Sequence, residues 1–261
     1  MKTRVISAIV MLLVLIPITI LGGLPFTILF TVLGVLGLYE FLKLEKDIPY
    51  LIRYSAILFS IVMILYNYKD TTVDYLLNYK LLAGMMLFYF ITIVLVGNND
   101  KFNYKKAFYL IVTTLLIGIS FNGFIIMRNL GGSNLIFYFF MISALTDSFA
   151  LFGGKLFGKH KLSKLSPKKT IEGSIIGSVI GSVCASLFGY YLLTNSMSFI
   201  SIFMLSLVLS IFGQCGDLFF SAVKREYGIK DYSNLIPGHG GILDRLDSVI
   251  FVLLGYILVM L

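Results

Sequence analysis

Apolar residues fall in nine long stretches along this chain, at about 5–21, 24–41, 50–66, 81–96, 107–126, 135–152, 171–193, 199–223 and 246–261. A helix that crosses the ~30 Å hydrocarbon core needs ~20 mostly apolar residues. Strands of a transmembrane barrel would be shorter and would alternate in polarity. The stretches do neither, so the pattern predicts an all-α, polytopic integral membrane protein of about nine transmembrane helices. Only Gly22-Gly23 separates the first two stretches, which leaves open a hairpin that does not cross fully. Lys2 and Arg4 before an apolar run imitate a signal peptide. No small-x-small cleavage site follows, so the run is read as an uncleaved first span.

Composition agrees. Of 261 residues, 58% are hydrophobic and 13% charged, and the mean hydropathy is +0.94. A soluble domain carries about 25% charged residues, so soluble and disordered classes are excluded. Cys184 and Cys215 both fall inside predicted spans, which excludes a disulfide framework and a cysteine-rich zinc site.

The net charge is +8, and its distribution argues for a membrane topology and against nucleic acid as a partner. With nine spans and the N-terminus inside, 18 of the 21 Lys and Arg fall in alternate segments; only Lys69, Lys80 and Arg128 fall in the others. The positive-inside rule then makes the N-terminus and the two most basic loops cytoplasmic.

The first half has its acidic residues (Glu40, Glu45, Asp47, Asp70, Asp74, Asp100) at span ends or in loops. The second half differs. Asp147 and Asp217 lie inside spans, Glu172 opens the seventh, and Asp244 and Asp247 open the ninth. An ionisable group at membrane depth is costly and marks a site. Asp244 and Asp247, three apart, share a helix face. Four carboxylates, Asp147, Asp217, Asp244 and Asp247, can therefore meet just below the cytoplasmic surface, where oxygen ligands suit Mg2+. The plainer alternatives are an Asp147–Lys pair and acidic residues favoured at a helix N-terminus. These contrasts divide the chain into a scaffold over residues 1–130 (about five helices) and a catalytic region over 131–261 (about four helices and two basic loops).

The basic loop 153–174 reads GGKLFGKHKLSKLSPKKTIEGS. Gly153, Gly154 and Gly158 would let a backbone approach a ligand. Lys168, Lys169 and Thr170 stand at a helix start, where phosphate is favoured; an ordinary positive-inside loop is the other reading. Gly173, Gly177 and Gly181 form a small-residue face suited to close helix packing. His160 receives no role.

Residues 221–247 read SAVKREYGIKDYSNLIPGHGGILDRLD. Ser221, Val223, Lys224, Arg225, Lys230, Asp231, Ser233, Ile236, Pro237, His239, Gly240, Gly241, Asp244, Arg245 and Asp247 fit a signature without departure. The stretch resembles the phosphatidate cytidylyltransferases, also called CDP-diacylglycerol synthases. Asp147-Ser148 with GKLFGKHKL and SPKKTIEG resembles that family's second recurrent segment. The motif resemblance covers roughly residues 140–250.

The resemblance implies that phosphatidic acid and CTP give CDP-diacylglycerol and pyrophosphate with Mg2+. It implies Asp217, Asp244 and Asp247 as metal ligands, joined by Asp147, with room for a second cation. Lys224 would act in catalysis. Lys168, Lys169, Thr170, Ser221, Arg225, Lys230, Asp231, His239, Gly240, Gly241 and Arg245 would contact substrate. The expected setting is the bilayer of a bacterial plasma membrane with a cytoplasmic site, and the family together with the small-residue face leaves room for a homodimer. A CTP-dependent kinase acting on a polyprenol-like alcohol would use similar residues but release CDP. An ion-coupled transporter would place its carboxylates near the midplane between repeats, and a dead scaffold would be expected to lack some of them.

Overall fold

The structure is a computed structural model that describes residues 2–69, 79–96, 101–193 and 197–260. Asp70, Asp74 and Asp100 lie outside the described residues. Eight helices run in chain order: α1 (Lys2–Leu21), α2 (Gly23–Leu42), α3 (Tyr50–Leu65), α4 (Tyr79–Val96), α5 (Tyr104–Phe157), α6 (Ile171–Leu192), α7 (Phe199–Glu226) and α8 (Leu243–Met260). Among the described residues the only β pairing is two isolated bridges, Lys161 with Thr170 and Ile236 with Gly240. α1, α2, α5, α6 and α7 are long and apolar enough to cross a membrane. Along α1, Val5, Ile9 and Leu13 are all at least half exposed. A water-facing helix would not present such a surface, so lipid is its natural surroundings.

The two stretches expected as the fifth and sixth spans form one element, α5, broken at Gly132 (φ 70°, ψ −171°). That backbone conformation suits glycine alone. α8 starts at Leu243, so Asp244, Arg245 and Asp247 belong to its first turns.

The chain divides into two compact units, Leu21–Leu130 and Met1–Ile20 with Gly131–Leu261. The first twenty residues, grouped by sequence with the first half, thus cluster with the second. In the Leu21–Leu130 unit, aromatic rings fill the core: Phe26 stacks on Phe30 at 4.1 Å, and Phe30 meets Phe124 at 5.1 Å. Asn122 Nδ2 satisfies the open carbonyls of Ile64 and Tyr66 at the end of α3, at 2.9 and 2.7 Å, as a helix C-terminus in an apolar setting requires.

In the other unit, the small-residue face of α6 packs against the second arm of α5. A Cβ on Gly177 would lie 2.7 Å from Ala150 Cβ, and one on Gly181 would lie 2.9 Å from Thr146 Cα. The face is thus occupied within the chain and lends no surface to a homodimer. A run of polar contacts follows the same seam. Thr146 Oγ1 donates to Ser210 Oγ (2.9 Å), Ser210 to Ser178 (3.1 Å), and Gln214 Nε2 to Ser178 (2.6 Å). Ser174 Oγ donates to Gln214 Oε1. Hydrogen bonds of this kind tie helices together where lipid removes the hydrophobic drive between them.

Candidate active site

Two groups of ionisable residues lie in the Gly131–Leu261 part of the chain. The first surrounds a cavity of about 400 Å³ lined by Asp147, Lys168, Lys169, Ser174, Gln214 and Asp217 among others. Helices α5 and α7 carry the two aspartates, and the loop before α6 carries the lysines. Lys169 Nζ forms an ion pair with Asp217 Oδ2.

The basic loop is ordered before it reaches the cavity. Glu172, in the first turn of α6, accepts the backbone N–H of Lys159 (3.1 Å) and of His160 (3.2 Å). His160 Nδ1 meets the same carboxylate at 2.6 Å. Leu162 N donates to the Lys169 carbonyl and Ile171 N to that of His160, both at 2.9 Å. The loop therefore folds into a short two-sided tongue that carries Lys168 and Lys169 back to α6. His160, without a role on sequence grounds, is one of its fasteners. Thr170 caps α6 by accepting from Gly173 N at 3.1 Å, as N-cap threonines do. Gly154 faces Thr170, and Gly153 faces Ile176. Gly153 thus serves helix packing, while Gly154 also lines the cavity.

The second group lies at the end of α7 and the start of α8. Asp244 is buried, its side chain 3% exposed. Its Oδ1 accepts from Lys224 Nζ at 2.8 Å; its Oδ2 accepts from Tyr232 N at 2.8 Å and Gly241 N at 2.9 Å. A carboxylate offers about four lone-pair positions, and three are filled. Asp244, a metal ligand on sequence grounds, here clamps the loop between α7 and α8. Gly240 (φ 86°) lies against it, where a Cβ would stand 2.8 Å from Asp244 Oδ2. Gly240 and Gly241 thus build the turn around Asp244. Arg245 Nε donates to the His239 carbonyl at 2.8 Å. Arg225 Nη1 bonds the Ile229 carbonyl at 3.2 Å, near the end of its own helix. Ser221 is buried, while Lys230 and Asp231 are exposed.

Asp247 joins the two groups. It lies within electrostatic range of Asp217, Asp147 and Lys224, and Asp147 within that of Asp217 and Lys169. Asp147 and Asp217 line one cavity with Lys168 and Lys169, and Asp247 is coupled to both aspartates through space. Among the described residues, no three His, Cys, Asp or Glu side chains are gathered closely enough to hold an ion together. The donor chemistry still fits a hard divalent cation: the oxygens are carboxylates, and Lys169 now pairs with Asp217. Sequence reasoning gave Gln214 and Ser174 no part in the site, and it singled out Glu172 without foreseeing its partners in the loop; these partners are distant in sequence or on another helix.

The family model described as the Cytidylyltransferase family matches residues 2–261. A protein named phosphatidate cytidylyltransferase from Bacillus subtilis (strain 168) is 35% identical over 260 residues, covering 97% of this chain and 95% of its own length. Proteins of the same name from Staphylococcus aureus (strain COL) and Staphylococcus haemolyticus (strain JCSC1435) are 37% and 33% identical. Each alignment covers 97% of this chain and 96% of the relative.

Proposed function

We infer that this chain, which belongs to the cytidylyltransferase family, transfers CMP from CTP to phosphatidic acid and releases pyrophosphate. The observation that carries the reading is the cavity that Asp147, Asp217, Lys168 and Lys169 line together, with Asp247 within electrostatic range of both aspartates. In the reaction the lipid phosphate attacks the α-phosphorus of CTP in line, and pyrophosphate leaves. Such phosphoryl chemistry rests on positioning and on neutralising charge. A site with carboxylates and lysines together suits that need.

Lys168 and Lys169 contact the triphosphate, with Lys169 leaving Asp217 as substrate enters. Lys224 and Arg245 stand by for the lipid phosphate. Asp147, Asp217 and Asp247 would hold Mg2+, which when bound shields the triphosphate and the departing pyrophosphate. Asp244 fixes Lys224 and the loop after it. Arg225 and Lys230 complete the basic rim, Ser221 and Asp231 are further substrate contacts, Thr170 fixes the start of α6, and Gly240 and Gly241 shape the turn.

The segments cross the bilayer nine times if the two arms of α5 are counted separately. The N-terminus and the site face the cytoplasm of a bacterial plasma membrane, a reading supported by the lopsided placement of Lys and Arg. Residues 131–261 form the catalytic region and 21–130 the scaffold. A homodimer rests on the family resemblance alone. Protein reconstituted with phosphatidic acid, CTP and Mg2+ should form CDP-diacylglycerol and pyrophosphate in equal amounts. CDP formed from a polyprenol acceptor, without pyrophosphate, would overturn the reading in favour of a lipid kinase.

A further inference from the structure

The first turns of α1 hold the Pro237–Gly241 turn. Ser7 Oγ lies 2.8 Å from the Pro237 carbonyl oxygen and 2.9 Å from His239 Nδ1. It also lies 2.8 Å from the carbonyl of Thr3 and 3.2 Å from that of Arg4, in its own helix. Beside it, Gly238 (φ 77°) is pressed on Arg4: a Cβ there would stand 2.8 Å from Arg4 Cγ. On sequence grounds Arg4 counts only toward topology, and Ser7 has no role.

A serine hydroxyl has one hydrogen and two lone pairs. The three carbonyls around Ser7 can only accept, and the arrangement that satisfies most of these groups gives its hydrogen to one of them. In that arrangement His239 Nδ1 donates to Ser7 Oγ. A neutral imidazole has one ring proton, and with that proton on Nδ1 the other nitrogen keeps a bare lone pair. Nε2 of His239 has no hydrogen-bond partner among the described residues. The charged groups at this turn are Arg4 from α1, Arg245 from α8 through the His239 carbonyl, and Asp244 against Gly240. Asp244 is already neutralised by Lys224, so the balance left at the turn is cationic and favours an anion.

We propose that Ser7 is a positioning residue for cytidylyl transfer, holding His239 in the Nδ1–H form so that Nε2 accepts the last proton of the lipid phosphate. This rests on the function inferred above. A phosphate monoester has a second pKa of about 6, so part of it arrives with one proton at neutral pH. Its O–H bond breaks, an N–H bond forms at Nε2, and the electron pair stays on the phosphate oxygen. That oxygen bonds to the α-phosphorus, and pyrophosphate leaves with the pair of the bond that breaks. The imidazolium then returns its proton to water.

The chain has two histidines, so ¹⁵N-histidine spectra of the full protein in detergent give a direct readout, with His239→Asn identifying the signals. Neutral His239 should carry its proton on Nδ1 in the natural protein and shift it toward Nε2 in Ser7→Ala. At pH 6.5, kcat of Ser7→Ala should fall about tenfold, the loss of one well-formed hydrogen bond, with KM for CTP unchanged. Ser7→Thr keeps the hydroxyl and should restore both tautomer and rate. If Ser7→Ala does not fold, Ser7→Thr and the natural protein's tautomer still decide. Nε2–H in the neutral natural protein would overturn the proposal, and so would full kcat in a folded Ser7→Ala. Natural protein that makes no CMP-bearing lipid would overturn the function itself; natural protein that makes it at the rate of Ser7→Ala would overturn only the role of Ser7.

Discussion

Lys224 donates to the buried carboxylate of Asp244 at 2.8 Å, with the two side chains 12% and 3% exposed. Breaking a buried pair from one side leaves an uncompensated charge and costs about 3–5 kcal/mol. Lys224→Met and Asp244→Asn should each lower the melting temperature in detergent sharply. In a double-mutant cycle, the combined change should cost less than the sum of the two.

The carboxylates of Asp217 and Asp247 have a different task. Asp217→Asn and Asp247→Asn should leave the melting temperature near that of the natural protein. They should raise the Mg2+ concentration needed for half-maximal activity by about tenfold or more, as loss of a charged ligand requires. Asp244→Asn should not respond to added Mg2+ at all. A titration of activity against Mg2+ in the three variants separates the two roles, and a chelator should silence the natural protein until Mg2+ is restored.

Lys168 and Lys169 line the cavity. A charge-assisted hydrogen bond contributes about 1.5–3 kcal/mol, so Lys168→Gln or Lys169→Gln should raise KM for CTP about tenfold or more. Lys169→Gln also frees Asp217 from its ion pair, so its Mg2+ requirement should fall while its CTP requirement rises. Steady-state kinetics with each substrate varied in turn checks both.

Glu172 fastens the basic tongue through the N–H groups of Lys159 and His160. Glu172→Ala should speed amide hydrogen exchange over residues 159–162 and raise KM for CTP. Exchange in α7 should not change.

Gly177 has Ala150 Cβ and the Thr146 carbonyl where its own Cβ would be. Overpacking a closed helix seam costs about 1–3 kcal/mol. Gly177→Val should therefore lower the melting temperature, whereas Gly84→Ala, at a position with open space around it, should not.

The helices are legible in the sequence because lipid demands long apolar runs and nothing else in the chain imitates them. The break in α5 is legible too, since the gap between the stretches at 107–126 and 135–152 brackets Gly132; the sequence does not show that the two arms run on as one element, because the backbone conformation at Gly132 leaves no compositional mark. The spacing of Gly173, Gly177 and Gly181 announces a packing face, but not that its partner is α5. At the site, the signature names residue types and not their partners. It groups Asp244 with Asp247, although one is enclosed by three donors and the other is coupled to Asp217 through space. His160 and Glu172, twelve positions apart, meet only because the loop doubles back. Ser7 and His239, 232 positions apart, meet through tertiary structure that no local pattern records.

The most direct test of the central claim follows each phosphorus atom of CTP. Purified protein is given phosphatidic acid, Mg2+ and CTP labelled at the α- and γ-positions with different phosphorus isotopes. The account predicts that the α-label moves into the lipid fraction while the γ-label leaves as pyrophosphate, at equal rates. Finding the γ-label in the lipid, with CDP released, would contradict it and make the chain a kinase.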